Sequence, residues 1–168
     1  PNGLHGVWTK RALTAGKHVL CEKPFTADEA EARDVAAAAE GSGLVVMEAF
    51  HYRYHPLARR IGQILHEEQR LGEIRRVETW MCFPLPRFSD IRYRYDLAGG
   101  ATMDAGCYAL HAARFAGPGE PEVTGARATT SELAGPLVGR TKAAIAGSGT
   151  ELPVGVGLGV SNGDQAAE

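Results

Sequence analysis

The apolar positions of the first fifty residues fall into helical spacing and short continuous runs by turns. His5 to Ala15 reads as a helix, closed by Gly16, the residue type that most easily takes the left-handed backbone past a helix end. His18-Val19-Leu20-Cys21 is then a short apolar run of the kind found in strands buried on both faces. Glu22-Lys23-Pro24-Phe25 breaks it. Thr26-Ala27-Asp28-Glu29 has the form of a capping box, with Thr26 as N-cap and Glu29 reaching back, and predicts a helix running to about Glu40 with Gly41 beyond it. Leu44 to Phe50 is a second buried strand. Helix, strand, helix, strand is the order of a parallel α/β sheet.

After Pro56 the pattern changes. Leu57, Ile61, Ile64 and Leu65 mark an amphipathic helix with Arg59, Arg60 and Glu67 outward, ended by Gly72. Ile74 to Phe83 alternates, with Val77, Thr79, Met81 and Phe83 on one face of a half-solvated strand. Gly99-Gly100 precedes a helix over Ala101 to Phe115 whose apolar stripe is Met103, Cys107 and Leu110. Pro121 to Thr130 reads as a further strand. The switch from buried runs to alternation predicts a second, mainly antiparallel unit beginning near Tyr52, so the expected division is 1–51, 52–131 and 132–168. No aromatic residue follows Phe115, and Gly and Ala become frequent after Glu132. A flexible tail is expected there, with one strand over Pro153 to Val160. Gly155-Val156-Gly157-Leu158-Gly159 lacks the spacing and the strand–turn–helix setting of a phosphate loop.

Composition narrows the function classes. With 44% hydrophobic and 23% charged residues among 168, the chain is globular in type, with one or two compact units. A net charge of −2 leaves no electrostatic footprint for nucleic acid or an anionic membrane surface. No apolar run approaches a membrane span, and the start does not resemble a signal peptide. Cys21, Cys82 and Cys107 lie far apart without CxxC spacing, which predicts reduced, buried thiols in a cytoplasmic protein.

Three segments could carry chemistry. Glu22-Lys23-Pro24 follows a buried parallel strand at its carboxyl end, the edge where open α/β sheets bind ligands. Pro24 pushes Lys23 into an extended conformation, where its ammonium could stabilise a negative charge or lower a neighbour's pKa; a solvated strand-end lysine is the alternative. Asp104, Tyr108 and His111, spaced by four and three, share one face of one helix. A tyrosine there could act as general acid or base beside a cation, and Asp104 could orient a substrate hydroxyl or a neighbouring side chain; a polar outer face is the alternative. Met47 to Pro56 is dense in aromatics and imidazoles. His51 and His55 have a metal-binding spacing only if helical, which Pro56 opposes, so no metal is expected and a packed rim round a site is.

These segments together resemble the Gfo/Idh/MocA family of oxidoreductases, over roughly Pro1 to Thr130. Pro1-Asn2, His5 and Ala15 to Pro24 resemble the end of its nucleotide domain, and Gly99-Gly100 with Asp104, Gly106 and Tyr108 the start of its catalytic helix. Met47-Glu48-Ala49 and the Asp-x-Gly-x-Tyr form are closest to the dihydrodiol dehydrogenase and glucose–fructose oxidoreductase branch; inositol dehydrogenase-like members have histidine at the position of Tyr108. The resemblance implies part of a Rossmann-type parallel sheet followed by part of an α+β domain with an open, mainly antiparallel sheet that often mediates homo-oligomerisation. It implies hydride transfer between NAD or NADP, with NADP favoured, and a sugar, cyclitol or diol carbon.

Carried over, Lys23 contacts the nicotinamide ribose and the substrate hydroxyl, with a cis bond before Pro24. Tyr108 passes the hydroxyl proton, and Asp104 holds the substrate or Lys23. Asn2 and His5 line the nicotinamide side, with Glu22 and Arg53 among the cofactor-binding residues. The opening strand and G-x-G-x-x-G turn of such a domain are not in this sequence, and the stretch after Glu132 does not follow the family's later strands. A chain truncated at both ends, with weak cofactor binding, little activity of its own and an exposed sheet edge, is therefore expected. A non-catalytic sugar-binding or assembly protein on the same fold is the alternative, which Lys23, Asp104 and Tyr108 together argue against.

Overall fold

The computed structural model describes residues 1–81, 87, 89–131, 138–147 and 150–156, with side chains described as far as Gly125. Helix α1, His5–Thr14, follows a tight turn at Asn2–Leu4 and ends at Ala15, with Gly16 at φ +70°. Strand β1, Val19–Cys21, leads to the Lys23–Pro24 peptide bond, which is cis.

Helix α2, Glu29–Ser42, starts two residues later in its capping logic than the sequence predicts. The N-cap is Asp28, with extended backbone, and its Oδ1 accepts the Glu31 N–H at 2.8 Å. Glu31 reaches back to accept the Ala27 N–H at 3.0 Å, while the Thr26 hydroxyl donates to the Asp28 carbonyl. A carboxylate is the better acceptor for a helix N-terminus, so Asp28 displaces Thr26. Gly41 lies inside the helix; Gly43 ends it at φ +67°.

Strand β2, Val46–Glu48, pairs with β1 in parallel, Val19 opposite Val46 through Cys21 opposite Glu48. Burial on both faces is not what these strands have. Cys21 is buried, but Leu20 and Met47, opposite each other in the ladder, are exposed, as is Val45. α1 and α2 pack on each other, and α1 on β1, so one face is covered and the other is not.

Helix α3, Pro56–Gly62, has Pro56 in its first turn and is capped by His55, whose Nδ1 accepts the Leu57 N–H. It continues into a π-helical turn, Gln63–Glu67. The inward row is Ala58 and Gly62, not Leu57 and Ile61, which are exposed. A Cβ on Gly62 would come within 3.2 Å of the Phe115 ring, so small residues face the neighbouring helix and larger ones are turned out.

Strand β3, Thr79–Met81, is shorter than the predicted run but has the predicted face. Val77 and Met81 pack against Ala109 and Ala113, and the Thr79 hydroxyl donates to the Ala109 carbonyl at 2.8 Å. Cys82 and Phe83 lie outside the described residues. The helix after Gly99-Gly100 opens with a π-helical turn, Thr102–Gly106, and continues as α4, Cys107–Ala116. Its buried stripe is Ala101, Ala105, Ala109 and Ala113, whereas Met103, Cys107 and Leu110 are half-buried. A row at steps of four drifts by about 40° per step in a regular α-helix, and the wider π turn turns part of that drift back. Alanine at each step lets the helix lie close on the sheet.

Strands β4, Glu122–Ser131, β5, Val138–Gly147, and β6, Thr150–Val156, complete a four-stranded sheet in the order β3-β6-β5-β4. β4–β5 and β5–β6 are antiparallel and β3–β6 parallel. The architecture is therefore α/β, a small parallel sheet followed by a mainly antiparallel one, as expected. The flexible tail after Glu132 is corrected for β5, whereas β6 overlaps the expected strand from Pro153 to Val156 and begins three residues earlier. Main-chain ladders need no side-chain period, and Gly/Ala-rich strands therefore give no signal in sequence. Of the predicted strand over Pro153 to Val160, residues 157–160 lie outside the described residues. Among the described residues no helix is long and apolar enough to cross a membrane.

Candidate active site

The carboxyl end of β1 brings Lys23 against the π turn that opens the α4 helix. The Lys23 ammonium donates to the Asp104 main-chain carbonyl at 2.5 Å and lies 3.4 Å from Asp104 Oδ1. This ion pair is well covered, its side chains 16% and 12% exposed. The expectation that Asp104 holds either substrate or Lys23 thus has geometry for Lys23. The other carboxylate oxygen, Oδ2, faces Arg92 Nε at 3.1 Å. Asp104 and, beside it, Asp90 hold the Arg92 guanidinium above its usual pKa.

Arg92 is the residue that sequence reasoning missed. It stands in a short turn, Ile91–Tyr93, capped by Asp90 and folded back by Gly99-Gly100. The Gly99 N–H donates to the Arg94 carbonyl at 2.8 Å and the Gly100 N–H to that of Arg92 at 2.7 Å. A Cβ at Gly99 would sit 2.6 to 2.8 Å from the carbonyl oxygens of Arg94, Arg92 and Ile91, closer than real Cβ atoms come. The glycine pair was legible as a helix preface; its use in seating Arg92 was not.

Tyr108 follows Asp104 by one turn. The Lys23 ammonium lies 5.0 Å from the centre of its ring, a cation over a π face. The sequence argument expects a nearby cation to lower the phenol's pKa, and the structure gives the opposite direction. Burial raises it, and electrostatic interaction with Cys107, Glu22 and Asp104 adds to that. The cation sits over the ring, not at the hydroxyl, so the phenol keeps its proton at neutral pH. The hydroxyl lies 3.5 Å from His51 Nδ1. Both residues line a cleft of about 540 Å³ with Tyr52, Thr79, Trp80, Met81, Ala109 and Ala112.

The remaining candidates divide. Asn2 donates to the Ala98 carbonyl at 2.9 Å and lines a narrow cleft with Arg92, Leu97 and Asp104, so it is brought to the site. His5 Nδ1 donates to the Pro24 carbonyl at 2.7 Å, which makes Nδ1 the protonated nitrogen and fixes the ring behind the cis bond. Glu22 is exposed beside Lys23, its carboxylate accepting the Lys23 N–H at 3.2 Å. Arg53 is not gathered round Lys23; it lines a second cleft of about 460 Å³ with Glu48, His111, Arg114 and Glu120. Burial raises the Glu48 carboxyl there. His111, the third residue of the predicted polar face, is turned to Tyr52 at 2.6 Å and stacked on Phe50. His51 and His55 belong to no cluster of potential metal ligands among the described residues. Cys21 is buried as expected; Cys107 is half-buried, and burial pushes its thiol up to about 11, so it is no nucleophile.

Residues 1–50 match the oxidoreductase-family model described as Gfo/Idh/MocA with an NAD-binding Rossmann fold, and residues 60–162 match the Gfo/Idh/MocA C-terminal domain. The chain belongs to the Gfo/Idh/MocA oxidoreductase family. Among its relatives, a D-xylose 1-dehydrogenase (NADP(+)) of Haloferax volcanii is 47% identical over 116 residues, 68% of this chain and 35% of that protein. A dTDP-3,4-didehydro-2,6-dideoxy-alpha-D-glucose 3-reductase of Actinomadura kijaniata is 43% identical over 113 residues, 67% of this chain and 34% of that protein. Among solved structures, a 3-ketoreductase from Actinomadura kijaniata in complex with NADP and TDP-benzene superposes with a TM-score of 0.83 at 35% identity, covering 94% of this chain and 48% of that one. The chain spans about a third of the length of these curated relatives and about half of the solved structure.

Proposed function

We propose that the full-length Gfo/Idh/MocA protein transfers a hydride between NADP or NAD and a CH–OH carbon of a sugar, cyclitol or diol. On this reading residues 1–51 are the later part of its nucleotide-binding domain and residues 52–131 part of its catalytic domain. One observation carries the proposal: Lys23, fixed by Asp104, lies across the ring of Tyr108, a residue that lines a cleft. The NADP-dependent xylose dehydrogenase and the NADP-bound ketoreductase support the cofactor and the substrate class.

The residues at the β1 edge fit the nicotinamide ribose. An exposed carboxylate, Glu22, can accept from both hydroxyls of a vicinal diol, and Lys23 can donate to it. Asn2 and His5 flank the same edge from the start of α1. When bound, the nicotinamide supplies or takes the hydride.

Everything else falls to this chain's side chains. Two of the three ammonium hydrogens of Lys23 face oxygens of Asp104, which leaves one to donate to the substrate oxygen as negative charge develops there. Tyr108, protonated at neutral pH, gives its phenolic proton to that oxygen in reduction and recovers it in oxidation.

The test is turnover of NADPH and NADH by the full-length protein with a panel of keto sugars, aldoses and inososes. Tyr108→Phe is expected to lower kcat by roughly a hundredfold or more while NADPH binding, followed by fluorescence, is kept. Absence of turnover across the panel, or a Tyr108→Phe variant as fast as the parent, overturns the reading.

A further inference from the structure

Two tyrosine–histidine pairs join the turn His51–Tyr54 to α4, and their surroundings differ. The inner pair is closed. Tyr52 and His111 are 2.6 Å apart, and the Phe50 ring stacks on His111 with centroids 4.1 Å apart. Burial raises the Tyr52 phenol and lowers the His111 imidazole, which favours the neutral form of both. This pair pins the turn to the helix. The outer pair is open: Tyr108 and His51 meet edge to face with centroids 6.0 Å apart, and His51 is exposed at the rim of the Tyr108 cleft.

The Tyr108 phenolate left after a proton transfer is disfavoured, because burial and nearby negative charge oppose it and Lys23 lies over the ring instead of at the oxygen. A group that returns the proton is therefore needed in every cycle. Imidazole is the side chain whose charge ordinarily changes nearest neutrality, and its two nitrogens can face a phenol and water at once. The separation of 3.5 Å lies at the outer limit of a hydrogen bond, and such contacts tighten in ligand complexes.

We propose that His51 relays the Tyr108 proton to and from solvent. The inference rests on the role given to Tyr108 above. In reduction the Tyr108 O–H bond breaks as the O–H bond of the product hydroxyl forms. The His51 imidazolium then gives its Nδ1 proton to the phenolate oxygen, and the neutral ring, which keeps its Nε2 proton, regains a proton at Nδ1 from water at the exposed rim. In oxidation each transfer runs backwards, and a proton leaves to solvent. The charged and titratable groups round the pair are Tyr52 and Arg53 from the same turn, Glu22 and Lys23 from the β1 edge, and Asp104, Cys107 and His111 from the α4 helix.

The experiment compares the full-length protein with its His51→Gln variant over a range of pH, with and without added imidazole. Loss of the relay is expected to lower kcat about tenfold, less than loss of the acid itself, and to leave KM unchanged. Reduction by the parent is expected to slow with rising pH; His51→Gln loses that limb, and imidazole restores the rate. In parallel, ring-labelled histidine is titrated by NMR, the His51 signal being assigned by its loss in His51→Gln. Its midpoint is expected to move in Tyr108→Phe. An active parent whose kcat and pH profile are untouched by His51→Gln refutes the relay alone. An inactive parent refutes the proposed function, and the relay with it. Should His51→Gln fail to fold, His51→Asn supplies the assignment, and an unmoved His51 midpoint in Tyr108→Phe still overturns the pair.

Discussion

Replacing Asp104 with asparagine removes one charge and little else. The amide keeps the side chain's shape, and the main-chain carbonyl that takes the Lys23 ammonium at 2.5 Å is unaffected. At an effective dielectric of about 20, unit charges 3.4 Å apart attract by roughly 5 kcal/mol before desolvation is charged against them. Desolvation offsets part of this, and breaking a buried pair costs about 3–5 kcal/mol. Lys23 keeps its carbonyl and some solvent, so the expected loss is about 2 kcal/mol. The Arg92 arm adds less, because its guanidinium side chain is 44% exposed and exposed pairs contribute at most about 1 kcal/mol. For a chain of this size a 2 kcal/mol loss lowers Tm by roughly 4–8 °C. The assay is thermal unfolding of Asp104→Asn, Lys23→Met, Arg92→Met and the two double variants containing Asp104→Asn. The coupling of Asp104 to Lys23 should be near 2 kcal/mol and that to Arg92 below about 1 kcal/mol. Couplings that are equal, or a Lys23 coupling near zero, would refute the argument from burial.

Gly99→Ala forces the turn open, since its Cβ meets three carbonyl oxygens; it should cost about 2 kcal/mol in urea unfolding, and an unchanged midpoint would contradict the close approach. His111 is held below the ordinary imidazole range by burial, with Arg53 and Arg114 adding to it. Its folded pKa is depressed, so protonation favours the unfolded chain: stability is full above about pH 6.5 and is lost as pH falls below it. His111→Gln should flatten that decline, read from unfolding midpoints at stepped pH. Of the five tyrosines, Tyr52 and Tyr108 have phenols raised by burial. In an alkaline absorbance titration they should ionise after ordinary tyrosines, and Tyr108→Phe should remove part of that late component.

How much of this was readable in advance depends on what each feature rests upon. The parallel strand pair, α1 with its Gly16 end, and the face of β3 follow from local pattern, and local pattern gave them. The Lys23, Asp104 and Tyr108 group followed from residue types at strand and helix ends, and the structure gathers all three. Misreadings arose where packing selected small residues over large ones. α3 faces inward with Ala58 and Gly62, and the α4 helix with alanines at steps of four, while the larger apolar residues beside them are less buried. A hydrophobicity pattern weights size, whereas close helix approach rewards its absence. β5 was missed because its ladders are made of main chain, while β6 was foreseen only in its second half.

The same distinction governs the site. Asn2 binds the carbonyl of Ala98, His5 that of Pro24, Lys23 that of Asp104, and Thr79 that of Ala109. In each case the donor has a recognisable side chain, but the acceptor is a peptide oxygen that any residue could supply. The donors were therefore nameable from sequence and their destinations were not. What fixes those destinations is the path of the backbone: the Gly99-Gly100 turn that seats Arg92, and the π turn whose Asp104 offers both a carbonyl and a carboxylate to Lys23. Damage to either turn should consequently disturb the site as much as loss of a charged side chain, although neither turn contains the proton donor.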